Sequence, residues 1–251
     1  MPEITADILS RNTLLAALPP DVRARLFPHL RLVSLPLGQV IYESGVELEQ
    51  VYFPAPGCIV SMLYVMEDGS SAEIAVVGNE GMVGIALFMG GGTTPSRAVV
   101  QSAGQAFALR AKSVTSEFGT HGKFLLVLLR FTQALITQMS QTAVCNRHHS
   151  VDQQLCRWLL SSLDRLESNE LAMTQELIAN MLGVRREGVT EAARKLQAAH
   201  LIQYSRGKIR ILDRSGLEAR VCECYAVVKR EYDRLLPPTI FDGDSMGHKA
   251  Q

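Results

Sequence analysis

Apolar and polar positions follow three successive rhythms along the chain. Near the start, Leu14, Leu15 and Leu18 share a helical face that Pro19-Pro20 interrupts, and a second helix is expected from Asp21, a residue suited to capping, to about His29. From Leu32 to Leu109 the rhythm shortens. Gln39-Val40-Ile41-Tyr42, Gln50-Val51-Tyr52-Phe53, Cys58 to Met62, Ala72 to Val77 and Arg97 to Gln101 are β-branched or aromatic runs punctuated by Gly, Pro and Asn. Many short strands with regular turns predict a sandwich, jelly roll or barrel, and Asp68-Gly69 is the strongest hairpin signal among them.

Glycine and proline then vanish between Gly122 and Gly183, and Lys123 to about His149 reads as one long helix too apolar to stand in water. Leu128, Leu135 and Thr142 fall seven apart, with Phe131 or Thr132 and Gln138 or Met139 between them, as in a short, imperfect coiled coil. At 1.5 Å per residue the rod spans roughly 40 Å, enough for a dimer spine. A helix buried within its own monomer is the alternative. A further helix over Val151 to Leu166 carries Leu155, Trp158, Leu159 and Leu163 at helical spacing, with Trp158 a core anchor.

The most informative stretch runs from Thr174 to Leu196. Thr174 is a good N-cap, and Gly183 can take the left-handed conformation a tight turn needs before a second helix near Arg185. Ala179 allows a close crossing, which Leu177, Ile178, Leu182, Val184, Val189, Ala193 and Leu196 would fix. This is the pattern of a helix-turn-helix. In that arrangement the second helix offers Arg185, Arg186, Glu187, Thr190 and Glu191 to a major groove, with Arg186 and Glu187 the leading readers of base edges. Gln203 to Ile211 then reads as two short strands around a basic turn, a wing whose Arg206 and Lys208 would meet phosphates.

Charge supports that division of labour. The 251 residues carry 25 Lys and Arg against 25 Asp and Glu, yet no Lys or Arg lies between Leu32 and Ser96. From Leu171 to Arg214 the balance reverses, with Arg185, Arg186, Arg194, Lys195, Arg206, Lys208, Arg210 and Arg214 against Glu176, Glu187, Glu191 and Asp213. No stretch of ~18 uncharged apolar residues is available to cross a bilayer, and Met1 to Arg11 lacks a secretory pattern, so a cytoplasmic location is expected. The five cysteines (Cys58, Cys145, Cys156, Cys222, Cys224) are odd in number and irregularly spaced, which points to reduced thiols. Cys222 and Cys224 form a C-x-C pair, but His148 and His149 are far away in sequence, so no metal site is expected. No nucleophile–base pair, phosphate loop or metal set stands out, and an enzyme is not expected.

These residues resemble the Crp/Fnr family, from about Leu14 to Leu212 and in the same order. The resemblance implies an α+β chain: a β-roll (jelly-roll-like) sensor domain with N-terminal helices over residues 1–120, a connecting and dimerisation helix over 121–149, and a winged helix-turn-helix over 150–236. The tail over 237–251, with two glycines, paired prolines and mixed polar residues, reads as disordered. Arg186-Glu187 matches the family's recognition-helix Arg-Glu, whereas Glu191 departs from the basic residue of cyclic-AMP-binding members. Those members offer a glutamate to the ribose and an Arg-Ser pair to the phosphate. Here Ile85 stands at the glutamate position and the pair is reversed as Ser96-Arg97, which argues against cyclic AMP and leaves Arg97 as a candidate contact for another anion. Residues Met1 to Arg31 lack the cysteine cluster of an iron–sulfur sensor, and His29, His121, His148 and His149 read as surface or helix residues rather than haem ligands. The expected partners are double-stranded DNA, a second copy bound through residues 123–149, RNA polymerase and an unidentified small-molecule effector. A ligand-binding or protein-interaction module that no longer grips DNA is the alternative.

Overall fold

The computed structural model describes residues 10–118 and 122–237. The expectations for residues 1–9, for His121 and for the tail beyond Pro237 lie outside the described residues. Helix α1 (Thr13–Ala16) is capped by buried Asn12, whose Oδ1 accepts from the Leu14 and Leu15 amides while its Nδ2 donates to the carbonyls of Pro54 and Gly81 at 2.9 and 3.0 Å. Helix α2 (Pro20–Leu26) starts one residue before the expected cap. Pro20 has no amide to satisfy, so Pro19 takes the cap position and Asp21 falls inside the first turn, 3.2 Å from Arg25.

Seven strands follow: β1 (Arg31–Leu35), β2 (Val40–Tyr42), β3 (Gln50–Pro54), β4 (Ile59–Val65), β5 (Ser71–Val77), β6 (Arg97–Ser102) and β7 (Gly104–Arg110). They form two antiparallel sheets, β1-β7-β3 and β2-β6-β4-β5, whose inward residues share one core around Phe53, Val60, Val77 and Phe107. Asp68-Gly69 closes the β4–β5 hairpin, with Gly69 at φ 83° and Asp68 Oδ1 accepting from the Ser70 amide. Strands β1 and β7 had no place among the expected runs. The alanines of β7 carry little strand propensity, yet β7 is the central strand of its sheet, and a Cβ at Gly104 would come within 2.7 Å of Cys58.

Helix α3 (Ala111–Phe118) leads to α4 (Lys123–His148), and α5 (Val151–Leu163) begins at a capping box formed by Ser150 and Gln153. Beyond it come β8 (Glu170–Ala172), α6 (Gln175–Leu182), α7 (Arg186–Ala198), β9 (Ile202–Ser205), β10 (Lys208–Ile211), α8 (Arg214–Glu218) and α9 (Glu223–Leu235), with the third sheet ordered β8-β10-β9. The last helix turns back along α4, and Tyr232, Leu235 and Leu236 enter the core of the β-sheet domain.

That return corrects the expected coiled-coil seam. Leu128, Phe131, Thr132, Leu135, Gln138 and Thr142 are all buried against their own chain. Gln138 accepts from the Val76 amide at 2.7 Å and donates to the Tyr232 hydroxyl at 3.3 Å. The face left outside is one residue out of phase: Leu126, Gln133 and Ser140 alternate with Leu129, Ile136 and Ala143 at heptad spacing, and all six are exposed.

The two halves meet along β4 and β5. Leu63 joins the core of the C-terminal half, and a Cβ at Gly183 would lie 3.3 Å from Ala72. Arg165, at the end of α5, pairs with Glu80 at 2.7 Å. Beside this seam Glu73 is buried, and burial pushes its carboxyl up to about 7, against partial relief from Ser61, Arg157 and Arg165. Ser61 Oγ lies 2.6 Å from Glu73 and 2.7 Å from Gln101 Oε1, and Gln101 donates to Ser162 at 3.1 Å. One hydroxyl proton cannot serve two acceptors, so a protonated Glu73 donating to Ser61 completes the relay. The unfolded chain releases this proton near pH 4.5 and the folded chain near 7, so stability falls as pH rises across that interval. Glu73→Gln should remove the fall, gaining on the parent by up to about 3 kcal/mol between pH 5 and pH 8 in urea unfolding; parallel pH profiles would refute the assignment.

Candidate nucleic-acid interface

Helices α6 and α7 and the β9–β10 hairpin build one outward surface. Thr174 has extended backbone geometry, and its hydroxyl accepts from the Leu177 amide at 3.2 Å, opening α6. Gly183 closes α6 at φ 64°, and the Val184 amide reaches back to the Ala179 carbonyl at 3.0 Å. The chain then has only Val184 and Arg185 before α7 starts at Arg186. The crossing is held by buried Ile178, Ala179, Leu182, Val189, Ala193 and Leu196, with Val184 partly buried. Leu177, expected among these contacts, is 44% exposed, because the inner face of α6 turns through Ile178, Met181 and Leu182 instead.

Arg185, Arg186 and Glu187 are exposed at the start of α7, and their side chains make no hydrogen bond or ion pair with the described residues. The positive end of the helix dipole adds to the two guanidinium groups there. Thr190, one turn on, is partly buried, with its hydroxyl 2.8 Å from Gln175 Oε1 and 3.0 Å from the Arg186 carbonyl, so it locks α7 to α6. Glu191 is exposed but pairs with Lys195 at 3.2 Å, and Lys195 also reaches Asp152 on α5 at 3.1 Å.

The wing is a two-residue turn. Arg206 at φ 50° and Gly207 at φ 74° give it the double left-handed geometry that matches strand twist. Its tip lies beside the cap of α6: Met173 N donates to the Gly207 carbonyl at 2.8 Å, and a Cβ at Gly207 would be 3.7 Å from Thr174 Cγ2. Arg206 and Lys208 are exposed, whereas Arg210 is taken up by Glu170 at 2.6 Å. Burial raises the Tyr204 phenol on β9, and the charge of Arg186 on α7 opposes that shift. The structure thus groups Thr174, Arg185, Arg186, Glu187, Thr190, Glu191, Arg206 and Lys208 on neighbouring elements.

Arg97 stands apart on β6, with its Nε 3.2 Å from Glu43. Near it, a cavity of about 290 Å³ is lined by Tyr42, Leu48, Met62, Tyr64, Ile74, Gly84, Ile85, Ala86, Thr94, Ser96 and, from α4, Met139. Ile85 therefore faces the cavity, Arg97 does not line it, and the lining carries no charged side chain.

Sequence spacing missed one constellation. Cys145 and His149 lie one turn apart at the end of α4, and the fold brings them against Cys222 and Cys224 at the start of α9. The separation in sequence that argued against a shared site is closed by the return of α9. The legible signals were a Cys-x3-His step on a helix and a C-x-C pair, which no spacing rule joins.

Residues 153–220 match the family model of the Crp-like helix-turn-helix domain, and residues 32–121 that of the cyclic nucleotide-binding domain. No curated protein sequence matches the chain. Among solved structures, a transcriptional regulator of the Crp/Fnr family from Eubacterium rectale aligns with a TM-score of 0.65 at 19% identity, covering 80% of this chain and 94% of that one. FixK2 from Bradyrhizobium japonicum gives 0.63 at 17%, covering 77% and 98%. The c-di-GMP-responsive global regulator CLP of Xanthomonas campestris gives 0.63 at 16%, covering 78% and 100%. At these identities the likeness to the solved structures is one of fold.

A left-handed backbone costs a side-chain-bearing residue about 1 kcal/mol or more, and asparagine tolerates it better than arginine. Arg206→Asn should therefore raise unfolding stability by up to about 1 kcal/mol in denaturant titration; a loss of stability would contradict the strained-turn reading.

Proposed function

We propose, from the premise that this chain belongs to the Crp/Fnr family of transcriptional regulators, that it is a homodimer that reads inverted DNA half-sites with the first turn of α7. Members of that family are non-enzymatic DNA-binding transcription factors. The observation that carries the reading is the outward set Arg185, Arg186 and Glu187 at the positive end of α7, unpaired among the described residues and backed by a basic wing. Arg186 donates to a guanine edge and Glu187 accepts from cytosine. Arg185 and Glu191 flank them, Thr190 holds the helix in register, and Thr174, Arg206 and Lys208 engage phosphates without reading sequence.

The dimer forms along α4 through the exposed stripe of Leu126, Leu129, Ile136 and Val144, parallel to the buried seam. Two α7 helices set about 34 Å apart would meet successive major grooves. The β-sheet domain senses, α4 connects, and the C-terminal half binds DNA and thereby positions or blocks RNA polymerase. In this reading α9, although within the last unit, anchors it to the connector. The uncharged cavity that reaches Met139 on α4 suits a small neutral effector better than a nucleotide phosphate, because no cation lines it to offset the buried charge. No helix among the described residues is long and apolar enough to cross a membrane, and the proposed place of action is the cytoplasm.

With an operator selected from random duplexes, Arg186→Ala should lose about 1 to 3 kcal/mol of discrimination at one base pair, while Lys208→Ala weakens all sequences alike and lowers the salt slope by about 1. Unaltered discrimination would reject the reading, and salt-independent affinity would favour a protein-interaction module. Ile136→Glu should yield a folded monomer in sedimentation, whereas Leu135→Ala should keep the dimer and lose about 2 to 5 kcal/mol of stability; the reverse outcome would return the dimer seam to Leu135.

A further inference from the structure

Helix α4 ends and helix α9 begins at one small buried site. Cys145 and His149 project from the same face of α4, one turn apart, and Cys222 and Cys224 lie at the cap and first turn of α9. The three thiols are buried, and only 14% of the His149 side chain is accessible. Cys145 Sγ lies 3.6 Å from Cys222 Sγ, Cys224 Sγ lies 3.6 Å from His149 Nδ1, and all four donor atoms fall within 4.8 Å of one another.

The 3.6 Å spacing of both close pairs suits one tetrahedral ion. Zinc–sulfur bonds of about 2.3 Å and zinc–nitrogen bonds of about 2.0 Å place two sulfurs about 3.8 Å apart, and a sulfur and a nitrogen about 3.5 Å apart. It does not suit the cystines, whose sulfurs stand about 2.05 Å apart. Four donors this close enclose a single centre rather than the several irons of a cluster.

A second observation points the same way. His149 Nε2 lies 3.3 Å from the Glu223 carboxylate. A proton held there by Glu223 leaves the Nδ1 lone pair facing the thiols, the arrangement by which carboxylates orient metal-bound imidazoles. Gln154 donates to the His149 carbonyl at 2.9 Å and fixes the backbone that carries the ring.

We propose that Cys145, His149, Cys222 and Cys224 bind one Zn²⁺ in a closed Cys3His site that staples the last helix to the end of the long helix. Binding displaces the thiol protons and forms three Zn–S bonds and one Zn–N bond, with no change of oxidation state. The four ligands fill the tetrahedron and leave no position for water, so the ion is structural. The proposal does not depend on DNA binding.

Full-length protein produced with zinc in the medium and purified without chelator should hold close to one zinc per chain by mass spectrometric metal analysis. Its Co²⁺ form should show the intense visible bands of tetrahedral thiolate coordination. Cys222→Ser should lose the ion. Because Glu223 is 75% exposed, Glu223→Ala keeps the fold and should weaken zinc binding about 10- to 100-fold. His149→Cys should retain the ion and shift the cobalt bands. Fewer than about one zinc per ten chains after reduction and zinc addition, a Cys145–Cys222 disulfide in freshly extracted protein, or unchanged affinity in both Cys222→Ser and Glu223→Ala would overturn the proposal; these thresholds lie well outside the tight binding of structural zinc sites.

Discussion

A helix of 26 residues can bury only part of its circumference against its own chain, and the division of α4 into two apolar faces governs the arrangement around it. Phe124, Val127, Leu128, Phe131 and Leu135 close the sheet core from below, while α9 covers the same side further along through Tyr232 and Leu235. The stripe one residue out of phase has no partner among the described residues. Leu129 is 51% and Ile136 54% exposed, a cost in apolar hydration that a second copy would relieve. The same helix supplies Met139 to the cavity of the β-sheet domain and Cys145 to the junction with α9, so one rod touches the cavity, the stripe and the C-terminal half.

The position of the C-terminal half follows from contacts between distant segments. The β4–β5 hairpin presents Leu63 and Ala72 to the helix-turn-helix, Arg165 reaches back to Glu80, and the Ser61, Glu73, Gln101 and Ser162 relay bridges β4, β5, β6 and α5. Arg185, Arg186, Arg206 and Lys208 stay exposed even though their scaffold packs closely on the sheets. A buried carboxyl within the seam makes the seam responsive to pH, because ionising it leaves a charge without a matched partner.

Legibility in sequence followed the range of the interactions concerned. Thr174, Gly183 and the Arg206-Gly207 turn act through hydrogen bonds and dihedrals spanning a few residues, so the helix-turn-helix and the wing could be placed from the chain alone. Leu177 shows the boundary of that reasoning. Its helical neighbours were assigned correctly, but which edge of the buried arc it occupies depends on where α7 crosses. Strand β7 was hidden for a related reason: its alanines are acceptable as a strand only because both neighbours, β1 and β3, bury it.

The sequence by itself determined the order of the parts, the segregation of charge and the chemistry of the α7 first turn, since these depend on residue type and short spacing. Tertiary structure decided the phase of the long helix, displaced by one residue from the heptad that looked best. It also decided the meeting of Cys145 with Cys222, 77 residues away, and of His149 with Cys224, 75 residues away. Both follow from the return of α9 along α4. A packing choice between two amphipathic surfaces is made by their joint burial, and neither segment alone encodes it.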